Sequence, residues 1–400
     1  MYRRIFSLLP AFWLAQALMP GPAFADHRPN NVAVMGGTWA ITGKYIGADK
    51  SFLKGRELYV EQLNARGGLL GHRVELKILD DKSDRRSAIE LYEKLLKENS
   101  VDIVLGPYTS QIADAVANVM ERYKRPFIAL GAVSPTIFQR GRKYVFRPVS
   151  VVSQDYQKGA LLLAKQAGVS RIAVIGADQQ FHRQVTEGTL SWAKKLGLEV
   201  VLVESYHGDE DDFVDLIQRI AASGAEAIFA NGLFLDSVHQ IRQLQKLNID
   251  VRIFSSALAP ATPEFIDELG PLAEFVLGFS QWQPNPAQGF AGVGKFIETY
   301  KDRFGAIPNY RAARAYAAMQ VLEAAAKRAG SFDPQKLRDA LSSIRVDTVM
   351  GPWEVDDTGF MSTEPTIVQI QKGQRVIVWP SHLAEGQFLP MPKWKDRVKN

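Results

Sequence analysis

No cysteine occurs in the 400 residues of this chain. Disulfides, thiolate catalysis, cysteine-ligated zinc or iron–sulfur centres and a lipid-modified cysteine at a processed N-terminus are excluded with it. Histidine is scarce too. His27, His72, His182, His207, His239 and His382 stand apart, and no H-E-x-x-H occurs. The nucleophile elbow G-x-S-x-G and the phosphate loop G-x-x-x-x-G-K-[ST] are missing. The turn Gly36-Gly37-Thr38 lacks the third glycine of a dinucleotide fingerprint, which argues against NAD. Past residue 25 no apolar run approaches the roughly 20 residues of a bilayer span. The net charge is only +5, with Lys and Arg interleaved among Asp and Glu, so a nucleic-acid surface is not indicated. No nucleophile or acid–base set is visible, so an enzyme is not expected, nor is any cofactor. Asp80, Asp81 and Asp84 sit at a strand end without the glutamate of a calcium loop. They read as helix-capping acids rather than metal ligands.

What is present begins with an export signal. Arg3 and Arg4 precede the almost wholly apolar residues 5–19, and Ala23-Phe24-Ala25 is a cleavage site of A-x-A type. Residues 1–25 are therefore expected to be removed, with Asp26 opening the mature chain. Pro10 and Pro20 interrupt the run, which argues against a membrane anchor. The mature protein is expected in a periplasm, not inserted in the membrane.

From residue 32 the hydrophobic pattern alternates between short strands and helical stretches. A strand at 32–35 is followed by a helix at 52–63 that Gly67-Gly68 stops, and a strand at 74–79 by a helix over 89–96. The stretch 101–148 organises the rest. In it Val104-Leu105 and Ile128-Ala129-Leu130 each end in a small-residue turn that leads toward a helix, Gly106-Pro107-Tyr108-Thr109-Ser110 and Gly131-Ala132-Val133-Ser134. In open α/β sheets, ligands lie outside the carboxyl ends of the strands, where helix N-termini and free amides point. Two such turns one unit apart make half of a ligand clamp. The rhythm restarts after Pro148, giving a second α/β half. Helices and strands then return beyond a second crossover at 281–286. The expected fold is α/β, two lobes with parallel central sheets joined by a multi-crossing hinge. Residues 26–147 and 281–357 would form lobe 1, and 148–280 and 358–400 lobe 2.

Several segments carry a family resemblance. They are Leu63-Asn64-Ala65-Arg66-Gly67-Gly68-Leu69-Leu70-Gly71, Asp80-Asp81-Lys82-Ser83-Asp84, Gly106-Pro107-Tyr108-Thr109-Ser110, Ser134-Pro135 and Tyr144-Val145-Phe146-Arg147. Asp212-Phe213, Tyr316-Ala317-Ala318, Gly351-Pro352-Trp353 and Asp357-Thr358-Gly359 complete the set. In this order and spacing the chain resembles periplasmic substrate-binding proteins of ABC importers, in the type I group of leucine/isoleucine/valine-binding proteins. The resemblance implies Rossmann-like lobes, three hinge crossings, a small-molecule ligand enclosed between the lobes, and delivery to a membrane permease driven by an ATPase. A carrier of this kind is expected to be a monomer. A ligand sensor of the same fold docking on a membrane receptor is the alternative.

The resemblance also points to site positions. Ser110 matches the serine that grips a ligand carboxylate, although as a helix-start residue it can equally cap. Gly131 and Ala132 match a backbone clamp, and Val133 stands where a threonine is common. Phe181 followed by His182 replaces Tyr-Gly over the ligand, and a second-lobe aromatic falls near Leu233-Phe234. The acid that pairs with an amino acid's ammonium should fall at Ala257 or Leu258, yet no Asp or Glu lies between Asp236 and Glu264 except Asp250. A buried ammonium without a carboxylate is costly. Trp39, Tyr108, Phe181, Phe234 and Trp282 are the candidate walls of an apolar pocket, with Thr109 in the first turn and Gln281 at the second crossover. Phe181 can instead be core packing, and Trp282 a stiffener of the hinge. The expected ligand is an aromatic or branched aliphatic carboxylate more than a zwitterionic amino acid.

Overall fold

A computed structural model describes residues 31–43, 45–132, 134–208 and 210–397. The signal-peptide expectation and Val133 lie outside the described residues. Among them no helix is long and apolar enough to cross a membrane.

The first lobe is built on five parallel strands. They are β1 (Val32–Trp39), β2 (Arg73–Asp80), β3 (Ile103–Leu105), β4 (Phe127–Ile128) and β5 (Val145–Phe146), in the order β2-β1-β3-β4-β5. Helices α1 (Ile46–Ala65), α2 (Arg85–Lys97) and α3 (Ser110–Tyr123) make the crossovers. The motifs of the sequence have local jobs here. Asn64, at the end of α1, pairs with both backbone groups of Val74, donating to its carbonyl (2.9 Å) and accepting from its N–H (2.7 Å). This holds β2 in register while Gly67 and Gly68 turn the chain at φ 98° and 77°. Asp80 accepts from the N–H groups of Ile41, Thr42 and Lys82, Asp81 from Ser83, and Asp84 caps α2 through Ser87.

The second lobe repeats the plan. Its elements run α4 (Lys158–Gln166), β6 (Arg171–Ala177), α5 (Gln180–Leu196), β7 (Glu199–Tyr206), α6 (Val214–Ser223), β8 (Ala227–Asn231), α7 (Phe234–Lys246), β9 (Ile253–Ser256), α8 (Pro263–Leu269) and β10 (Leu277–Ser280). The order β7-β6-β8-β9-β10 copies that of the first sheet. The chain then returns to the first lobe as α9 (Val293–Phe304), α10 (Tyr310–Ala329), α11 (Pro334–Leu341) and the small hairpin β11 (Val346–Thr348) with β12 (Gly351–Trp353). It finishes on the second as β13 (Thr366–Gln371), β14 (Gln374–Trp379) and α12 (Trp394–Arg397). β13 runs antiparallel to β10, and β14 antiparallel to β13. The second sheet is therefore mixed at one edge, because only Lys372 and Gly373 separate its last two strands and so short a link forces a hairpin.

Each sheet carries a buried apolar layer on both faces. On the first lobe, α10 lies close against α1 because alanines line it and Gly55 faces it. A Cβ at Gly55 would come 2.3 Å from the Ala312 carbonyl oxygen and 3.0 Å from Ala315 Cβ. Gly55→Ala is therefore expected to destabilise by about 1–3 kcal/mol, even though alanine is the better helix former. Urea unfolding checks this, and a stabilised variant would show that the helices can separate at no cost.

The crossings are laced together. Arg147, fully buried, donates to Ser150 Oγ (3.1 Å) and the Val151 carbonyl (2.6 Å), lies over the Phe360 ring, and takes the Gly359 carbonyl on its N–H (2.8 Å). Its own carbonyl accepts from Trp353 Nε1 (2.7 Å). Burial lowers the Arg147 guanidinium to about 9. The first and last crossings are thus tied to each other, and Gln281 at the middle one donates to the Tyr156 hydroxyl (2.8 Å).

Candidate ligand-binding site

In the sheet order β2-β1-β3, the chain reverses direction between β1 and β3, and the crevice outside that point is where an open α/β sheet takes ligands. Tyr108, Thr109 and Ser110 follow β3 there. Thr109 holds φ 66° and ψ 146°, a backbone region that a residue with a Cβ rarely adopts and that tends to be retained at functional turns. Its Oγ1 accepts from the Ile112 N–H (3.3 Å), so Thr109, not Ser110, caps α3. Ser110 is the buried first residue of that helix, at the positive end of its dipole.

The second turn packs directly on the first. Gly131 donates to the Pro107 carbonyl (3.2 Å), and a Cβ on it would meet Tyr108 Cδ2 at 2.5 Å. Ala132 is fully buried and donates to the Ala129 carbonyl (2.9 Å). Both amides are thus spent within the protein, which corrects the expectation that they clamp a ligand. The tight two-turn packing uses them.

The aromatic residues divide into two sets. Tyr108, half-buried, touches Trp39 (5.6 Å between ring centroids), Phe52 (5.6 Å) and Tyr45 (5.8 Å). Trp39 is fully buried behind it, under the Arg56 guanidinium at 4.3 Å, so it supports the wall rather than forming it. Trp282 is likewise no wall. It is 2% exposed, packed on Phe296, with its indole N–H on the Val349 carbonyl (2.9 Å). From the second lobe, half-buried Phe181 at the start of α5 sets its edge on Tyr156 (5.5 Å), which stacks on Phe279 (3.7 Å). Leu258 packs in the same layer as Phe181. Phe234 turns instead into the opposite layer against Phe265 (6.2 Å), and Leu233 starts α7 beside it, its N–H held by Asp236 (2.9 Å).

Sequence reasoning missed the polar side of the crevice. The first turn of α10 carries Tyr310, Arg311 and Arg314, and both guanidiniums lie near the Tyr310 ring, at 5.1 and 5.5 Å from its centroid. Arg314 is 3% exposed, and among the described residues its Nε and one Nη have no hydrogen-bond partner; Arg311 Nε has none either. Arg314 feels Tyr156 from the second lobe and Tyr310 and Tyr108 from the first, which places it between the lobes; burial, the largest influence on it, lowers its guanidinium. The available signal was the i,i+3 spacing of two arginines on an otherwise apolar, alanine-rich helix.

Two surface hollows lie elsewhere, one around Gln283, Asn285 and Arg375, the other around Gln62, Phe296 and Tyr316, and neither contains a predicted site residue. α3 and α5 approach across the crevice to within 8 Å between Cα atoms, so the lobes stand close together.

The family model described as a periplasmic binding protein matches residues 34–375 of this fold. The chain belongs to the periplasmic binding protein family. A Leu/Ile/Val-binding protein homologue of Brucella suis is 27% identical over 96% of this chain and 98% of its own. Among solved structures, the fold is similar to a leucine-binding protein from Thermotoga maritima (TM-score 0.77, 22% identity, 86% of this chain and 97% of that one). It is similar also to a solute-binding protein of R. palustris in complex with benzoate (TM-score 0.73, 18% identity, 90% and 97%). As a periplasmic binding protein, whose relatives and structural neighbours are substrate-binding proteins, the chain is a binder and not an enzyme.

Proposed function

We propose that this periplasmic binding protein captures a small organic acid between its lobes, an aromatic or branched aliphatic carboxylate, and hands it to the permease of an ABC importer as a monomer. The lobes would divide at residues 147/148, 280/281 and 357/358, and export would follow removal of residues 1–25. Tyr108, Thr109, Ser110, Phe181, Leu258 and Gln281 are the positions from which contacts are expected. The observation that carries the reading is that the described residues at the end of β9 offer an amine no carboxylate. At the end of β9 stand buried Ala257 and half-buried Leu258, and the next acid, Glu264, is exposed and acts on Arg311 and Arg375. An ammonium entering beside the end of β9 would meet Ala257, Leu258 and the nearby guanidiniums rather than a carboxylate. The relatives named for leucine and its kin support the small-solute part of the reading, and the benzoate complex supports its carboxylate part.

Titration calorimetry over benzoate, phenylacetate, isovalerate, leucine and isoleucine tests it. Binding of an acid lacking the amine is expected to be the tighter. Binding of the α-amino acids alone would reject it. Ser110→Ala should weaken acid binding about tenfold. Its unfolding midpoint should hardly move, since Thr109 caps α3.

A further inference from the structure

The arginines at the start of α10 lie over the Tyr310 ring, yet part of their donor capacity is unused. Arg142 shows what a buried arginine saturated by the fold looks like. It donates to Asp114, Asn118 and the carbonyl oxygens of Ile137 and Asp114. Arg314 is as deeply buried but leaves Nε and an Nη without an acceptor among the described residues. A buried guanidinium in that state is expensive unless an anion completes it, and a planar fork of N–H donors matches a carboxylate. Arg311, three residues earlier on the same face, brings a second free Nε toward the same ring, Tyr310.

Glu264, exposed at the start of α8, is the carboxylate that acts on Arg311, while burial and the rings of Tyr156, Tyr310 and Tyr108 are the largest influences on Arg314. The start of α3, with Ser110, is a separate anion-favouring point in the same crevice.

We infer that Arg314, with Arg311, forms a second anion subsite of the crevice, facing the one at Ser110, and that the preferred solute is a small diacid. The inference rests on the organic-acid reading above and adds a second acid group to it. The body between the two groups would lie along the half-buried rings of Tyr108 and Phe181, so a short aromatic or aliphatic spacer fits.

The test compares matched pairs in calorimetry: benzoate with terephthalate and phthalate, and hexanoate with adipate, on the parent protein, Arg314→Gln and Arg311→Gln. A diacid should bind at least about tenfold tighter than its monoacid, and Arg314→Gln should weaken the diacid on the order of 100-fold while leaving the monoacid within a few-fold. Arg311 is the more exposed of the two, so its variant carries the test if Arg314→Gln fails to fold. Monoacids binding as tightly as diacids, or a diacid indifferent to both substitutions, would overturn the second subsite and leave the organic-acid reading standing. If none of these acids binds and only α-amino acids do, both are wrong.

Discussion

Between pH 6.5 and pH 4 the folded protein is expected to lose about 3 kcal/mol of stability through one side chain, His182. It is 4% exposed near the start of α5, neither ring nitrogen has a hydrogen-bond partner among the described residues, and the Phe181 ring stands edge-on to it with 5.2 Å between centroids. Burial pushes its pKa from 6.5 down to about 4. The imidazole is therefore neutral in the fold, while in the unfolded chain it takes a proton near its ordinary value. Above pH 6.5 neither state is protonated and the full stability is present. As pH falls from 6.5 toward 4, only the unfolded chain gains the proton, and stability drops by about 1.4 kcal/mol per pH unit. Urea midpoints at pH 7 and pH 4.5 read the loss. His182→Leu, apolar and of similar bulk, should remove this part of the slope and leave whatever the paired carboxylates contribute. Parallel pH profiles for parent and variant would show that the ring finds a proton acceptor in the fold. Phe181 sits on this ring, so acid should loosen the second-lobe wall before the sheets melt.

That histidine could be named from the sequence, but its burial could not, and the same limit runs through the site. The two halves were legible because each obeys local rules: period-two strands, capped helices, and glycines at 67 and 68 where φ is positive. The turns after β3 and β4 were legible as neighbours because a βαβ unit puts successive strand ends side by side. What the sequence could not show was the direction each group faces. Trp39 and Trp282 stand at strand ends, as a pocket wall would, yet both point inward, since large rings gain most by full burial. The amides of Gly131 and Ala132 looked free because no pattern shows which carbonyl a turn will offer them. Arg311 and Arg314 come to the crevice from a helix some 200 residues farther along the chain than Tyr108. Only the return of the chain to the first lobe brings them there, and local patterning does not carry that information.

Substituting Gly131 should cost more binding than any other change to the turns. The obstruction is at Cβ itself. That atom would stand 2.5 Å from Tyr108 Cδ2, 2.7 Å from Tyr108 Cα and 3.1 Å from the Thr109 nitrogen. The Cα and nitrogen are backbone, so a rotamer change cannot relieve the overlap; the turn after β4 must move away from the turn after β3. That movement breaks the Gly131 N–H bond to Pro107 and releases the strained Thr109 that aims the start of α3. An ångström of displacement at a site built from two turns is worth on the order of 100-fold, or about 2.7 kcal/mol, in affinity. Because the clash is already complete at the first carbon, Gly131→Ala and Gly131→Leu should lose similar amounts, with the circular dichroism of both unchanged. Gly141→Ala provides the contrast. Its φ is 69°, but nothing lies within 4 Å of an added Cβ, so it should cost about 1 kcal/mol of stability and no affinity. A Gly131→Ala protein that bound its solute as the parent does would mean that the two turns are free to part, and that the solute is held from the second lobe and α10 alone.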